Sequence, residues 1–383
     1  MKHVERRYLL NREVQSGDDA TRTVELARAG FLSAILLRLE CTNGATSGTE
    51  ELIDAIDRIE IIADGSDVLF SLEGTELYKW NIAWLKRRPP IVRTMRLSVV
   101  QELSLLIPFG RFIGDPEANL NLSQYKRVEL SIRFSPTISG TAFTTATFTI
   151  TAIEYSWRPE DVPAGRRGFL RTRQIRSFTS AASGDELIEL DRAHPLTAIM
   201  VYAREAGIAD GVDIDTLEVR ESDGRIIPYS SRWLDAQMEN QIEMDLDAYE
   251  SGVALRTDAG TIDTLVSRIL SARVDIEDDT GAADAADPVA KIASVTADRI
   301  TLSVVETDND GTDGGSSVAS ALYPIHWEAR GIGIGNAVLI PLSEMGDLEH
   351  PYDTPSKDKV QLVLSNAAAG AAVRVSTQEL VSP

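Results

Sequence analysis

The sequence predicts an all-β protein of two tandem jelly-roll β-sandwich domains, each with one short helix, the second carrying a large loop insertion. Three observations carry that prediction. VELARAGFLSAILL (24–37) returns as IELDRAHPLTAIMV (188–201) with seven of fourteen positions identical. Further phrases repeat downstream in the same order, as a duplicated domain requires. Runs such as FTTATFTITAIEYSW are rich in Thr, Ile, Phe and Tyr, which suit a pleated, half-buried surface.

Taken from the N-terminus, RRYLLNREV (6–14) resembles RRGFLRTRQI (166–175), and Ser16-Gly17-Asp18 matches Ser183-Gly184-Asp185. IDRIEI (56–61) matches IDTLEV (214–219), and Asp64-Gly65 answers Asp223-Gly224. LLIPF (105–109) pairs with VLIPL (338–342), Gly114-Asp115 with Gly346-Asp347, and RVELSI (127–132) with KVQLVL (359–364). Extended runs are expected near 31–41, 56–63, 67–73, 93–106, 126–134 and 143–157. In RVELSIRF the residues Val128, Leu130, Ile132 and Phe134 share one face, the period of a strand. Two extended stretches flank Asp64-Gly65, a hairpin signal. GTELYKWNIAWLKRR (74–88) reads as a helix stopped by Pro89-Pro90, and SRWLDAQMENQIEMDLDAY (231–249) is its counterpart. Each helix is expected after the fourth strand-like segment. Seven or eight strands with one helix over about 150 residues suit a jelly roll. Periodicity alone does not separate it from an immunoglobulin-like Greek key.

The expected domains are 1–157 and 170–383, joined by a stiff linker at 158–169 with two prolines and two glycines around it. From Asp64-Gly65 to Ile107-Pro108 is about forty residues, but from Asp223-Gly224 to Ile340-Pro341 almost 120. The second copy therefore carries about 75 extra residues, placed near 247–322. Segments such as DIEDDTGAADAADP read as solvated acidic loops, and KIASVTADRITLSVVE as a short strand pair.

The net charge is −21, and only seven of 38 basic residues are Lys. Such a surface repels nucleic acid and fits either a high-salt setting or simple colloidal solubility. Cys41 is the single cysteine, which excludes an intrachain disulfide. No run approaches a transmembrane helix and no signal peptide is expected.

Chemistry is sparse. His3, His194, His326 and His350 form no metal-ligand motif. GIGIGN (331–336) lacks the phosphate-loop spacing and reads as a strand thinned on one face. ETDNDGTDGG (306–315) resembles the start of a calcium loop, with Asp308, Asp310 and Asp313 as ligands of a weakly bound Ca²⁺, but Ser317 stands where the bidentate Glu belongs. The alternative is a solvated loop tip. Lys2, Arg6, Arg7 and Arg12 make a basic N-terminal segment suited to anionic lipid or an internal partner, or to an ordinary first strand. No nucleophile–base pair is signalled, and no enzyme is expected.

With tandem jelly rolls, a helix at the same place in each and one large insertion, the chain is similar to the double jelly-roll major capsid proteins. These belong to tailless icosahedral viruses with an internal membrane, the tectivirus, corticovirus and adenovirus lineage. GFLSAILLRLECTNG (30–44) with IDRIEIIADGSDVLFSLEGTEL (56–77) most resembles the corticovirus-like bacteriophage coat proteins. The likeness covers the whole chain as architecture, and about the first 80 residues in wording. It implies a homotrimer of pseudo-hexagonal outline tiling a shell, with the insertion as an outer tower and the basic N-terminus toward the membrane. Partners would be neighbouring capsomers, minor capsid and vertex proteins and the internal membrane, without direct nucleic acid contact. The location would be the virion, after synthesis in the host cytoplasm. Competing readings are a carbohydrate-binding or carbohydrate-active tandem β-sandwich and a fibre or adhesin.

Overall fold

Asp-Gly pairs that accept left-handed backbone set the hairpins on which both halves turn. Asp64 and Gly65 have φ of 50° and 78°, and Asp223 and Gly224 have 58° and 85°. The computed structural model describes residues 4–382 apart from 16, 18, 46–49, 137–141, 162–164, 205–210, 247, 257–259, 265, 267, 277–285, 297–298, 309–322 and 344–346. The first half contains β1 (Glu5–Val14), β2 (Ala20–Glu25), β3 (Phe31–Thr42), β4 (Ile56–Ala63), β5 (Asp67–Leu72), α1 (Gly74–Leu85), β6 (Ile91–Val92), β7 (Val100–Pro108), β8 (Leu120–Asn121), β9 (Val128–Phe134) and β10 (Thr149–Trp157). One sheet runs β1-β10-β3-β7-β6, with β8 on β3; β2-β9-β4-β5 face it. That strand order is a jelly roll.

The second half repeats it with β11 (Phe169–Thr179), β12 (Gly184–Glu189), β13 (Leu196–Arg204), β14 (Ile214–Glu221), β15 (Ile226–Arg232) and α2 (Trp233–Glu243). Six strands follow before the roll resumes: β16 (Tyr249–Arg256), β17 (Gly260–Asp263), β18 (Arg268–Ile276), β19 (Ala286–Thr296), β20 (Arg299–Asp308) and β21 (Tyr323–Ile332). The roll closes with β22 (Ala337–Pro341), β23 (Val360–Asn366) and β24 (Ala372–Val381). Its sheets are β11-β24-β13-β22 and β12-β23-β14-β15. β5 pairs in parallel with β11, so one sheet from each half runs on as a single eight-stranded sheet.

The fourteen-residue phrase is the corner between β2 and β3, and between β12 and β13. Leu26 is buried and its N–H donates to Val128 O at 2.9 Å; Leu190 is buried and donates to Val360 O at 3.0 Å. In the matched Gly-Asp turns, Asp115 Oδ1 accepts from the Glu117 N–H at 2.9 Å and Asp347 Oδ1 from the Glu349 N–H at 2.6 Å. The run LTAIMVYA in β13 is buried throughout. Ile199 and Val201 enter the core of the second roll, while Ala198, Met200 and Tyr202 join that of the first. A strand covered on both faces loses polar alternation, and this one has none.

Both helices clamp the same strand with a buried asparagine. Asn81 donates to Leu106 O at 2.8 Å and accepts from Leu106 N at 2.6 Å; Asn240 does the same with Leu339 at 2.7 and 2.8 Å. β7 and β22 thus have their central backbone groups satisfied by a helix side chain.

Several expectations need correction. The helices follow the fifth strand, because β1 and β2 precede the series counted from 31; paired bulges in β1 break its alternation. The run expected at 93–106 is interrupted, with β6 ending at Val92 and β7 starting at Val100. Thr145–Thr147 is a 3-10 turn before β10. Only Gly74–Leu85 and Trp233–Glu243 are helical. The insertion is not a loop with one ribbon but two three-stranded sheets, β16-β21-β18 and β17-β20-β19, and it extends past 322 through β21. It has its own core of Ile262, Ile300, Leu302, Ile325 and Trp327. Alternation such as that in RILSARVDI, which after the bulge puts Ala272, Val274 and Ile276 on one side, explains how so polar a segment forms sheets. The N-terminal match also slides. Ile35 and Ile199 lie opposite Glu154 and Thr377, which in turn lie opposite Arg7 and Arg173. Arg7 therefore corresponds to Arg173, not Arg167.

Two predictions follow from these contacts. Asn81→Ala orphans a buried N–H and C=O and is expected to destabilise the protein by about 3 kcal/mol in denaturant titration; an unchanged midpoint would exclude the clamp. The Gly331 N–H donates to Ala248 O at 2.9 Å, so the two ends of the insertion already touch. Excising 249–332 is expected to leave a cooperatively folding double roll by circular dichroism and thermal melting. Loss of the β signal would show that the insertion is part of the core.

Candidate functional site

The joint between the two rolls is the best-built site in the chain. Thr172 lies beside Phe70 and Arg173 beside Ser71 in parallel register. Phe70, Ser71 and Thr172 are buried there. Arg58 donates to Ser71 Oγ through Nε at 3.0 Å and reaches Gln174 across the joint. Arg374 pairs with Glu73 at 2.7 Å, and the Trp80 indole N–H donates to Ser376 Oγ at 2.8 Å. These contacts tie α1 of the first roll to β24 of the second, with Trp80 stacked on Trp84 at 5.3 Å.

A cavity of about 330 Å³ lies where the first roll, β13 and the insertion meet; its lining includes Glu51, Asp54, Lys79, Arg93, Arg204 and Trp327. Arg93 bridges Glu51 and Glu250, the latter at 2.6 Å, and lies over the Trp327 ring at 4.9 Å. Burial works against the Arg93 charge, but Glu51 and Glu250 outweigh it and raise its pKa. Burial pushes the Glu51 carboxyl up to about 7, against the opposing pull of Arg93. Backbone bonds reinforce the contact: Met95 N donates to Val253 O at 2.7 Å, and Val253 N to Arg93 O at 3.2 Å. The cluster pins β16 and β21 to the first roll. Its members are dispersed between residues 51 and 327, with no spacing that would announce it. The asparagine clamps did leave a signal, since each lies seventeen residues after the Asp of its hairpin.

The basic N-terminal residues fall mostly on an edge strand. Arg6 is exposed and donates to the Tyr8 hydroxyl at 3.0 Å. Arg7 pairs with buried Glu154 at 2.7 Å and Arg12 with Glu40 at 3.5 Å. Lys2 lies outside the described residues, as does His3. Asp308 is the last residue of β20, opposite Ala286, while Asp310 and Asp313 lie outside the described residues. The Asp308–Asp310–Asp313 calcium site therefore has no geometry to test. Among the described residues, no three of His, Cys, Asp and Glu are grouped as metal ligands. His194 lies on the β12–β13 corner and His326 on β21, and His350 pairs with Asp347 at 2.9 Å. Burial pushes the Cys41 thiol up to about 11, which leaves it unreactive.

GIGIGN is not a continuous strand. Gly333, Gly335 and Asn336 have φ of 72°, 67° and 51°, a left-handed bend that returns the chain from β21 to β22. Gly331 permits a close backbone approach: a Cβ there would come within 2.2 Å of Arg268 O.

The sequence matches no protein-family model and no curated relative. Solved structures do match. The STIV MCP, from Sulfolobus Turreted Icosahedral Virus, is 12% identical with a TM-score of 0.58, over 99% of this chain and 98% of that one. The major capsid protein from Bacteriophage PM2 is 12% identical with a TM-score of 0.50, over 99% and 98%. A chain of the PBCV-1 virus capsid is 8% identical with a TM-score of 0.53, over 99% and 94%. The chain shares the double jelly-roll fold of these proteins.

α1, which carries the joint, supplies a pH test. Burial pushes the Glu76 carboxyl up to about 7, against one hydrogen bond from the Glu73 N–H at 3.1 Å. A carboxyl raised in the folded state contributes stability fully below its unfolded pKa near 4.5 and loses it as pH climbs to about 7. Glu76→Gln keeps the acceptor and removes the charge. Its stability relative to the parent is expected to rise by about 3 kcal/mol between pH 4 and pH 8 in denaturant titrations. A pH-independent difference would refute this assignment.

Proposed function

We propose that this chain is a viral major capsid protein that associates with itself into pseudo-hexagonal trimers tiling an icosahedral shell. The carrying observation is two-way coverage: 99% of this chain and 98% of the STIV MCP are accounted for by one shared fold. A coat protein is selected for shape over the whole chain rather than for one pocket, and shape is what survives at 12% identity. The double roll supports this physically. Two near-equivalent walls in one chain let three chains make six, with each contact recurring around a closed ring. The insertion, held over α1 and β13 by the Arg93 cluster, is proposed as the outer tower. The net charge of −21 would keep assembled particles apart.

Light scattering on the purified chain is expected to give three times 41.8 kDa, with hexagonal particles in negative stain. A monomer across the micromolar range would refute the proposal.

A further inference from the structure

Among the described residues, two bare strand edges have repeat counterparts that are joined to each other. Among the described residues, β1 has a neighbour only in β10, and β15 only in β14. Their counterparts are β11 and β5, which pair with each other at the internal joint. The register is transferable residue by residue. β1 and β11 carry the same bulge, between Tyr8 and Leu10 and between Gln174 and Arg176, so Arg6 and Arg7 stand for Thr172 and Arg173. Glu218 lies opposite Ser230 and accepts its hydroxyl at 3.3 Å, as Glu60 lies opposite Ser71 and accepts at 3.0 Å. Tyr229 and Ser230 thus stand for Phe70 and Ser71.

Burial differs at the two sets in one direction. Ser71 and Thr172 are covered by the internal joint, whereas Ser230, Arg6 and Arg7 are exposed. The helices tell the same story when aligned on Asn81 and Asn240. Ala83 of α1 is buried and lines a small cavity with Leu170 of β11, and its counterpart Ile242 of α2 is 78% exposed, with Met238 one turn before it 52% exposed. An apolar residue where the buried face should be marks a surface awaiting a cover. Ile226 and Ile227 on β15 and Tyr8 on β1 extend that apolar margin. Charge is complementary as well: β1 presents exposed Arg6, with Arg7 and Arg12 already paired to Glu154 and Glu40 of their own chain, and α2 presents exposed Asp235, Glu239 and Glu243.

We infer that β15 and the exposed face of α2 receive β1 of a second copy of this chain, in parallel register, with Arg6 of the second copy beside Tyr229 and Arg7 beside Ser230. The inference rests on the proposed self-assembly and specifies its contact. The two edges are different surfaces of one molecule, so the joint is head-to-tail and closes into a ring when its rotation allows. Each added chain repeats, between copies, the β5–β11 joint that already exists within one. The N-terminal arginines then serve a protein contact rather than a lipid one.

Paired cysteines test it, because native Cys41 is fully buried and stays silent. Arg6→Cys with Tyr229→Cys, and Arg7→Cys with Ser230→Cys, are each expected to give two-chain and three-chain bands on a denaturing gel after oxidation. The single variants stay at one chain. Arg12→Cys with Ser230→Cys is the out-of-register control and is expected to stay at one chain too. Trimers by light scattering with no linkage in either matched pair would overturn the inference and leave the capsid proposal standing, as would equal linkage in the control. Monomers by light scattering would overturn both. Ile242→Asp changes a residue too exposed to affect folding, and is expected to raise the half-assembly concentration at least about tenfold with an unchanged circular dichroism spectrum. Unaltered assembly would remove α2 from the contact.

Discussion

A sheet edge is a row of N–H and C=O groups in need of partners, and the closing of one such edge organises this molecule. β5 is the edge strand of one sheet of the first roll and β11 begins the second, and their parallel pairing makes one eight-stranded sheet out of two separate folds. Parallel pairing requires a crossover, which α1, β6 to β10 and the joint after Trp157 supply. The pairing brings β13 and β24 against α1, and from there most of the inter-roll contacts follow: Trp80 on Ser376, Glu73 on Arg374, and Met200 and Tyr202 in the first roll's core. The two rolls are therefore not beads on a linker. Their relative placement is fixed by hydrogen bonds and by a shared apolar layer.

Identical folds in unlike surroundings have diverged at the positions where the surroundings differ. The clamps Asn81 and Asn240 are the same residue because both meet the same strand from within. Lys79 and Met238 differ because one faces a charged cavity beneath the insertion and the other faces outward. The Arg93 cluster lies in the first roll's share of that cavity. Burying three charges is costly unless each is paired, and one guanidinium held between Glu51 and Glu250 meets that condition. Such an arrangement fixes where the insertion sits more than it adds stability.

Much of this was legible in the sequence because backbone geometry is written in particular residues. Asp64-Gly65 and Asp223-Gly224 supply the positive φ of the hairpin turns, and the alternation of Val128, Leu130, Ile132 and Phe134 is a one-sided strand. The repeated phrase identified a corner, since Leu26 and Leu190 make the same bond. What was not legible depended on remote partners. β1 has no clean alternation because its bulges shift the pattern, and the RR of its start matches Arg166-Arg167 in wording, six residues from the true register. The insertion looked like loop because its small core is built from scattered Ile, Leu and Trp among Asp, Ala and Ser. Gly333 and Gly335 stand in a run that reads as a thinned strand, whereas their role is a left-handed bend.

The contact between Gly331 and Ala248 has a further consequence. Because the chain leaves and re-enters the second roll at neighbouring points, the roll beneath does not register the size of what is mounted on it. Enlarging such a segment costs little beyond loop-closure entropy, about 0.6 kcal/mol for each doubling of length. The inserted module can therefore be lengthened, shortened or exchanged while every strand of the two rolls keeps its neighbours. The rolls and the module they carry are free to change at different rates.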